Sequence, residues 1–141
     1  MTDSAATEQT RTLVTDFLAA RTAADTDRMA ELVTDDVEWR PPPSMGIGPF
    51  SGREAVVKAL AGAAAGRIFQ ADTIERHVDH MTVEGDTAVV QQTLTATTRK
   101  GAAYRNEYCW VYTCSGGKVA RMVEYTDSYH AARIFGMVPA S

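Results

Sequence analysis

The chain has 141 residues, the length of a single domain, and its 45% hydrophobic and 23% charged residues are typical of a globular protein. Its 14 basic and 18 acidic residues give a net charge of −4, and the scattered basic residues argue against nucleic-acid binding. No apolar run approaches the ~18 residues that span a bilayer, and no secretory signal begins the sequence. We therefore expect a soluble, cytoplasmic protein without membrane association.

The first third of the sequence predicts helices. Thr7 to Ala20 forms an amphipathic pattern whose apolar residues share one helix face: Leu13, Val14, Phe17 and Leu18. Asp25 is suited to cap a second, short helix that contains Met29, Leu32 and Val33.

A short extended piece, Val37 to Arg40, precedes a segment rich in proline and glycine at positions 41–49. This segment excludes a helix and a central strand. Ser51 and Glu54 have the spacing of a capping box, which predicts a helix start at Ser51. That helix carries Val56, Val57 and Leu60 and fades before Gly66.

The second half predicts four strands, separated by three turn-like tripeptides at 84–86, 99–101 and 115–117. The strands are expected at Arg67 to Val83, Thr87 to Thr98, Ala102 to Thr113 and Lys118 to Tyr129. Tight connections imply antiparallel neighbours, and strands this long imply a strongly curved sheet. Helices followed by such a sheet predict one α+β domain over residues 1–141, a cone with helices packed on an antiparallel sheet.

Cysteine and histidine patterns predict neither a disulfide nor a metal site. Cys109 and Cys114 fall in one strand at a separation of roughly 16 Å and on opposite faces, so they cannot bridge each other and are expected as reduced thiols. Strand alternation places His77 and Asp79 on one face and His80 on the other, which separates the ligands a metal would need.

Alternation in the last two strands defines a candidate site. One face of the third long strand carries Asn106, Tyr108, Trp110 and Tyr112, and these rings favour the concave side. On the last strand Glu124 shares a face with Met122 and Thr126. If that face points inward, burial raises the pKa of Glu124 and suits it to proton transfer. A one-residue slip would instead place Glu124 in solvent.

Three stretches of the sequence carry a family resemblance: Thr34 to Trp39, Gly52 to Val56, and Gly117 to Gly136 with Glu124-Tyr125-Thr126-Asp127 within it. Together with the order of helices and strands, they resemble the nuclear transport factor 2-like superfamily, and the last stretch resembles its SnoaL-like branch. Members include polyketide cyclases, limonene-type epoxide hydrolases, ketosteroid isomerases and proteins without catalysis. The resemblance implies a cone with a hydrophobic, aromatic cavity, whereas the activity must be argued from the site.

Two enzyme branches lack their usual groups at the matching positions. The groups of the ketosteroid isomerases correspond to Pro41, Phe17 and Trp110, none of which can transfer a proton. The water-holding Tyr and Asn of the epoxide hydrolases correspond to Trp39 and Pro41, and the strand segment at 89–95 contains neither an arginine nor an acid. Only their second acid position is filled, by Glu124.

The SnoaL-like cyclases use one acid on the last strand as general base, and that position matches Glu124. The resemblance implies that Glu124 points into the cavity, lined also by Asn106, Tyr108, Trp110 and Met122. We expect an enzyme of secondary metabolism that cyclises, isomerises or dehydrates a hydrophobic, polyketide-like carbonyl compound, with Glu124 as base and Tyr108 and Asn106 as polar guides. The alternatives are a non-catalytic protein that binds a hydrophobic ligand and an epoxide hydrolase with a non-standard set of residues.

Further candidates have two interpretations each. Phe17 and Thr126 are candidate substrate contacts. The residues expected at the cavity wall or mouth are also candidate substrate contacts, and they equally suit a hydrophobic core without a ligand: Trp39, Met45, Ile47 and Phe50. His77 is a candidate acid partner of Glu124 or an exposed side chain, and Asp127 and His130 reach the cavity or belong to a turn.

The remaining expectations concern charges, cofactors and assembly. Arg21 and Arg133 are expected in surface or inter-helix ion pairs, and neither a metal nor an organic cofactor is implied. We expect a homodimer, because the outer sheet face carries Val111, Val123 and Tyr125 with little to cover them.

Overall fold

The first helix is longer than the sequence pattern indicates, and the second is shorter, since it ends at Glu31 and the predicted members Leu32 and Val33 lie beyond its end. The structure, a computed structural model, describes residues 3–63 and 65–138. Helix α1 spans Asp3–Thr22, and helix α2 spans Thr26–Glu31. The carboxylate of Asp25 accepts a hydrogen bond from the backbone N–H of Arg28 at 3.1 Å, so the predicted cap of α2 is confirmed. None of the described helices is long and apolar enough to cross a membrane.

The segment between α2 and the long strands contains two strands and a helix. Strand β1 spans Val33–Arg40, a single 3-10 turn occupies Pro43–Met45, and strand β2 spans Phe50–Ser51. Helix α3 spans Arg53–Lys58 and continues as a π-helical stretch over Ala59–Ala63.

The predicted capping box at the start of α3 is wrong. Gly52 is the N-cap, with φ of 91°, and no side chain caps the helix. Ser51 is still the last residue of β2, where it pairs with Glu38, so its hydroxyl is one position too early. Glycine suits the turn because a positive φ is strained for other residues, and the Gly52 N–H donates to the Val37 carbonyl at 2.8 Å.

The four long strands form the predicted meander, with shorter first and last members. Strands β3 to β6 span Glu75–Glu84, Thr87–Thr97, Ala103–Ser115 and Lys118–Thr126. The predicted start at Arg67 is wrong because 3-10 turns occupy Ala65–Arg67 and Ala71–Thr73. The predicted end at Tyr129 is also wrong, because Asp127 caps helix α4, Ser128–Ile134, by accepting from the His130 N–H at 3.0 Å.

The sheet is mixed and open, with the strand order β2-β1-β6-β5-β4-β3. The meander is antiparallel as expected, but β1 runs parallel to β6. Turn chemistry did not predict this pairing, because β1 and β6 are distant in sequence and no hairpin joins them. With the helices on its concave face, the curved sheet forms the expected α+β cone.

Two hydrophobic clusters fill the cone. The larger joins α1, α2 and α3 to the sheet around Phe17, Met29 and Tyr112. The smaller lies at the other end, where Phe69 and Tyr104 pack against Phe135, which follows α4. Residues of both clusters line a cavity, so the fold leaves a space where the two packing units meet.

Candidate functional site

Glu124 is the acidic residue that lines this cavity in the described part of the chain. It lies in β6 opposite Trp110 of β5, and this register turns the side chain to the concave face. The indole Nε1–H of Trp39 donates a hydrogen bond to Glu124 Oε1 at 3.1 Å. Burial raises the pKa of Glu124 from 4.5 to about 7, because it outweighs the opposing influence of Arg21, Trp39 and Arg76.

Stacked rings form the wall beside Glu124. The Trp39 ring stacks on Phe50 at 5.1 Å and on Trp110 at 5.8 Å, and Trp110 stacks in turn on Tyr112 at 6.0 Å. Trp39 and Trp110 line the cavity, whereas Phe50 and Tyr112 support them from behind. The stack holds the indole of Trp39 in place, so its N–H stays directed at the carboxyl group of Glu124.

Arg21 and Arg76 also line the cavity, and neither was expected there. Arg21 comes from the last turn of α1, is only 9% exposed and stands 4.8 Å from the centroid of the Trp110 ring. The ion pair expected for it is absent among the described residues, and its Nε and Nη1 atoms are enclosed without hydrogen-bond partners. Burial lowers the pKa of Arg21, and burial and the charge of Arg21 lower that of Arg76 to about 9.

The sequence held a signal for Arg21. It follows Phe17 by four residues and Val14 by seven, which places it on the apolar face of α1. A charged residue at a core position of an amphipathic helix points to a functional group as much as to an ion pair.

A chain of hydrogen bonds ends at the Tyr108 hydroxyl, which lines the cavity. Asn106 Nδ2 donates to the hydroxyl of Tyr104 at 2.8 Å and to the carbonyl of Asp127 at 3.0 Å, while its Oδ1 accepts from the Glu107 N–H at 2.9 Å. The Tyr104 and Tyr108 hydroxyls are 2.7 Å apart. Either hydroxyl of this pair can be the donor, and when Tyr104 donates to Tyr108, the Tyr108 proton is available to the cavity. Burial raises the pKa of Tyr108, so this hydroxyl stays protonated.

Several expected cavity residues lie elsewhere. Asn106 is buried, but the three hydrogen bonds just described occupy its amide, so it positions Tyr104 and does not line the cavity. Met122 and Phe17 are fully buried in the larger cluster, where neighbours fill the space around them. Thr126, Met45 and Ile47 do line the cavity, although the Thr126 hydroxyl donates to the Glu107 carbonyl at 2.8 Å.

The histidines lie outside the cavity. The side chain of His77 is 78% exposed and stands 3.6 Å from Asp79, so the geometry does not support it as an acid partner of Glu124. Asp79 is an extra residue in β3, and the register shift puts both His77 and His80 opposite residues of one face of β4, contrary to strict alternation. The Nε2–H of His130 donates to the Arg105 carbonyl at 3.0 Å, and Asp127 caps α4.

The described residues contain no group of three or more His, Cys, Asp or Glu side chains that could hold a metal ion. Cys109 and Cys114 are both free. Cys114 is buried on the concave side, and burial and the charge of Asp86 raise its thiol pKa to about 11, so it behaves as a core residue. Among the described residues, the ionisable groups that line the cavity are therefore one carboxyl group, two guanidinium groups and a phenol, and the amide of Gln92 and the hydroxyl of Thr126 are further polar side-chain groups.

The fold and this cavity define an α+β cone with one ionisable acid among aromatic side chains. The sequence matches the SnoaL-like domain family over residues 14–122, more than half of the chain, and the protein belongs to this family. A comparison with the sequences of functionally curated proteins gives no significant match.

Solved structures share the fold at low sequence identity. A protein described as a SnoaL-like polyketide cyclase, from Jannaschia sp. CCS1, is 22% identical with a TM-score of 0.77, and the match covers 94% of each chain. An epoxide hydrolase of the limonene type from M. tuberculosis is 18% identical with a TM-score of 0.71, covering 93% of this chain and 92% of that one. A protein described as a ketosteroid isomerase, from Kribbella flavida DSM 17836, is 20% identical with a TM-score of 0.68, covering 85% and 78%. These similarities establish the expected nuclear transport factor 2-like fold, whose relatives have cyclase, isomerase and hydrolase descriptions.

Proposed function

We propose that the protein is an enzyme of secondary metabolism that transfers a proton at the carbon next to a carbonyl group of a hydrophobic, polyketide-like substrate. The observation that carries the proposal is the carboxyl group of Glu124, which lies inside an aromatic cavity with a pKa raised to about 7. A base with a conjugate acid near the working pH is the kind that transfers protons most effectively.

In this proposal one oxygen of Glu124 orients the carboxyl group and the other carries the chemistry. Oε1 accepts the hydrogen bond from Trp39, whereas the described residues supply no donor to Oε2. Ionised Glu124 takes a proton from the α-carbon through Oε2, and the C–H electron pair moves to the carbonyl oxygen as an enolate forms. The Tyr108 hydroxyl, which can donate when Tyr104 donates to it, stabilises that oxygen.

The enolate has three outcomes that the same residues serve. Protonated Glu124 returns its proton to a different carbon in an isomerisation, or to a departing hydroxyl group in a dehydration. In an aldol cyclisation the enolate carbon attacks a second carbonyl group of the same substrate, whose oxygen then takes the proton from Glu124. Each outcome restores ionised Glu124 and balances the proton.

A direct test follows the exchange of α-protons for deuterium in 2-tetralone, an apolar ketone, by proton NMR in heavy water. We expect the wild-type protein to accelerate exchange above the buffer rate and Glu124→Gln to lose about 100- to 10,000-fold of that acceleration. Glu107→Gln is the matched control, because Glu107 is an exposed acid on the opposite face of β5. Exchange in Glu124→Gln at the wild-type rate would refute the proposed base.

The alternative is a binding protein that holds a hydrophobic ligand without converting it. It is favoured by the small number of reactive groups, since Glu124 is the only carboxyl group among the described cavity residues. The same observation disfavours an epoxide hydrolase with paired acids, because β4 contributes Gln92 and Leu94 to the cavity and no acid. Tight ligand binding without exchange in wild-type protein or Glu124→Gln would support the binding protein.

A further inference from the structure

The charges in the cavity do not balance. Arg21 and Arg76 carry two positive charges, whereas Glu124 supplies at most one negative charge. We propose that the cavity binds a small organic acid with a flat apolar body, whose carboxylate or ionised enol is held by Arg21 and Arg76. The proposal rests on the proposed function in that it names the substrate class of the same cavity.

Arg21 gives the stronger evidence for a bound anion, because its charge is buried and unpaired among the described residues. The residue is only 9% exposed, and within the described part of the chain no acidic side chain pairs with it. Its polar surroundings are the face of the Trp110 ring, the phenol groups of Tyr112 and Tyr108, and the longer-range charge of Glu124. An unpaired buried charge is costly, and its retention at a cavity wall is accounted for by an anion that enters the cavity.

Arg76 approaches the same space from strand β3, which packs against α1. It comes from β3, where it pairs with Leu94 of β4, whereas Arg21 comes from α1. Because both guanidinium groups line one cavity, their like charges repel, and the charge of Arg21 contributes, after burial, to the lowered pKa of Arg76. An anionic group near both would relieve this repulsion, and guanidinium groups bind carboxylates with strong, charge-assisted hydrogen bonds.

The rest of the lining sets the shape and polarity of the ligand. Trp39 and Trp110, stacked at 23°, present aromatic surface beside Arg21. Ile68, Phe69 and Leu94 supply further apolar surface to the same cavity. An acid whose body is an aromatic ring or a fused ring system satisfies both parts of the cavity.

Benzoate tests the proposal, with benzamide as its neutral isostere. Both tryptophans of the sequence, Trp39 and Trp110, line the cavity, so intrinsic fluorescence reports its occupancy directly. We expect benzoate to bind wild-type protein at least about 10-fold more tightly than benzamide, and Arg21→Gln to lose about 10- to 100-fold of benzoate affinity. Benzamide affinity should stay nearly unchanged in Arg21→Gln.

Arg11→Gln is the matched control, because Arg11 lies on the same helix and pairs only with Glu8 at the surface. It should bind benzoate like the wild-type protein. Circular dichroism establishes whether each variant is folded. If Arg21→Gln does not fold, Arg76→Gln replaces it and should show a selective loss of benzoate affinity.

Equal binding of benzoate and benzamide by wild-type protein would overturn the proposal, as would undetectable benzoate binding at millimolar concentration. Equal loss of both ligands in a folded arginine variant would also overturn it. Glu124→Gln separates this result from the proposed function, since it removes the base and leaves both arginines. Benzoate preference without proton exchange refutes only the proposed reaction, whereas exchange that depends on Glu124 without benzoate preference refutes only the acid site.

Discussion

Titration of Glu124 should make the stability of the fold depend on pH. The carboxyl group has a pKa of about 7 in the folded protein and an ordinary value of 4.5. Between these values the folded protein binds the proton more strongly than the unfolded chain does. The free energy of unfolding therefore falls as the pH rises from 4.5 to about 7, and it levels off above that.

The magnitude follows from the two pKa values. One pH unit corresponds to about 1.4 kcal/mol, so the span from 4.5 to about 7 corresponds to about 3 kcal/mol. Glu124→Gln carries no titrating proton and lacks this contribution. The free energy of unfolding of wild-type protein, minus that of Glu124→Gln, should therefore fall by about 3 kcal/mol across this window.

Urea denaturation followed by circular dichroism, repeated from pH 4 to pH 8, measures this difference. Taking the difference between the two proteins cancels the titration of the surface acids and of the histidines, which both proteins share. Glu107→Gln, at an exposed position of β5, is the matched control. Parallel pH profiles for wild-type protein and Glu124→Gln would refute the raised pKa and, with it, the reasoning that burial makes Glu124 a base near neutral pH.

Three further changes test the hydrogen bond to Glu124, the packing of the loop beside the site, and the predicted dimer. Trp39→Phe removes the N–H that lowers the pKa of Glu124, so carbon-13 NMR of that carboxyl should give a pKa above the wild-type value. Gly48→Ala should lower the free energy of unfolding by about 1–3 kcal/mol in urea, because φ is 71° and a Cβ would lie 2.9 Å from Pro41 Cδ. Val111→Asp, in the outer sheet face, should convert the predicted homodimer to a monomer in sedimentation, and a monomeric wild-type protein would contradict that prediction.

The aromatic and acidic parts of the site were predictable because they depend on strand alternation. Tyr108 and Trp110 occupy one face of β5. Glu124 follows Met122 by two residues, so both lie on the same face of β6. The sequence did not decide which face of β6 points into the cavity. In the structure Glu124 pairs with Trp110 and shares its inward face. Local periodicity therefore predicted the positions of these residues, while family resemblance decided their direction.

The position of Arg76 was not predictable in this way, because it depends on long-range packing, whereas Arg21 had a local signal on the apolar face of α1. Arg76 reaches the cavity because it pairs with Leu94 of β4, on the face of the sheet that lines the cavity. His77, the next residue, is thereby turned outward. The bulge at Asp79 then breaks the alternation that separated His77 from His80. Such register shifts arise from pairing with β4 and have no local sequence signature.

An acidic substrate would change the base that acts on it. Arg21 and Arg76 both lower the pKa of Glu124, and burial raises it more strongly. A bound anion engages the arginines and adds a negative charge to the cavity, so both changes raise the pKa of Glu124 above about 7. If Glu124 is ionised before the ligand binds, its raised pKa makes it a stronger base in the complex. Because the apolar walls exclude water, we expect Glu124 to take a proton from the bound ligand. We therefore expect the excess positive charge of the cavity to couple ligand binding to proton transfer.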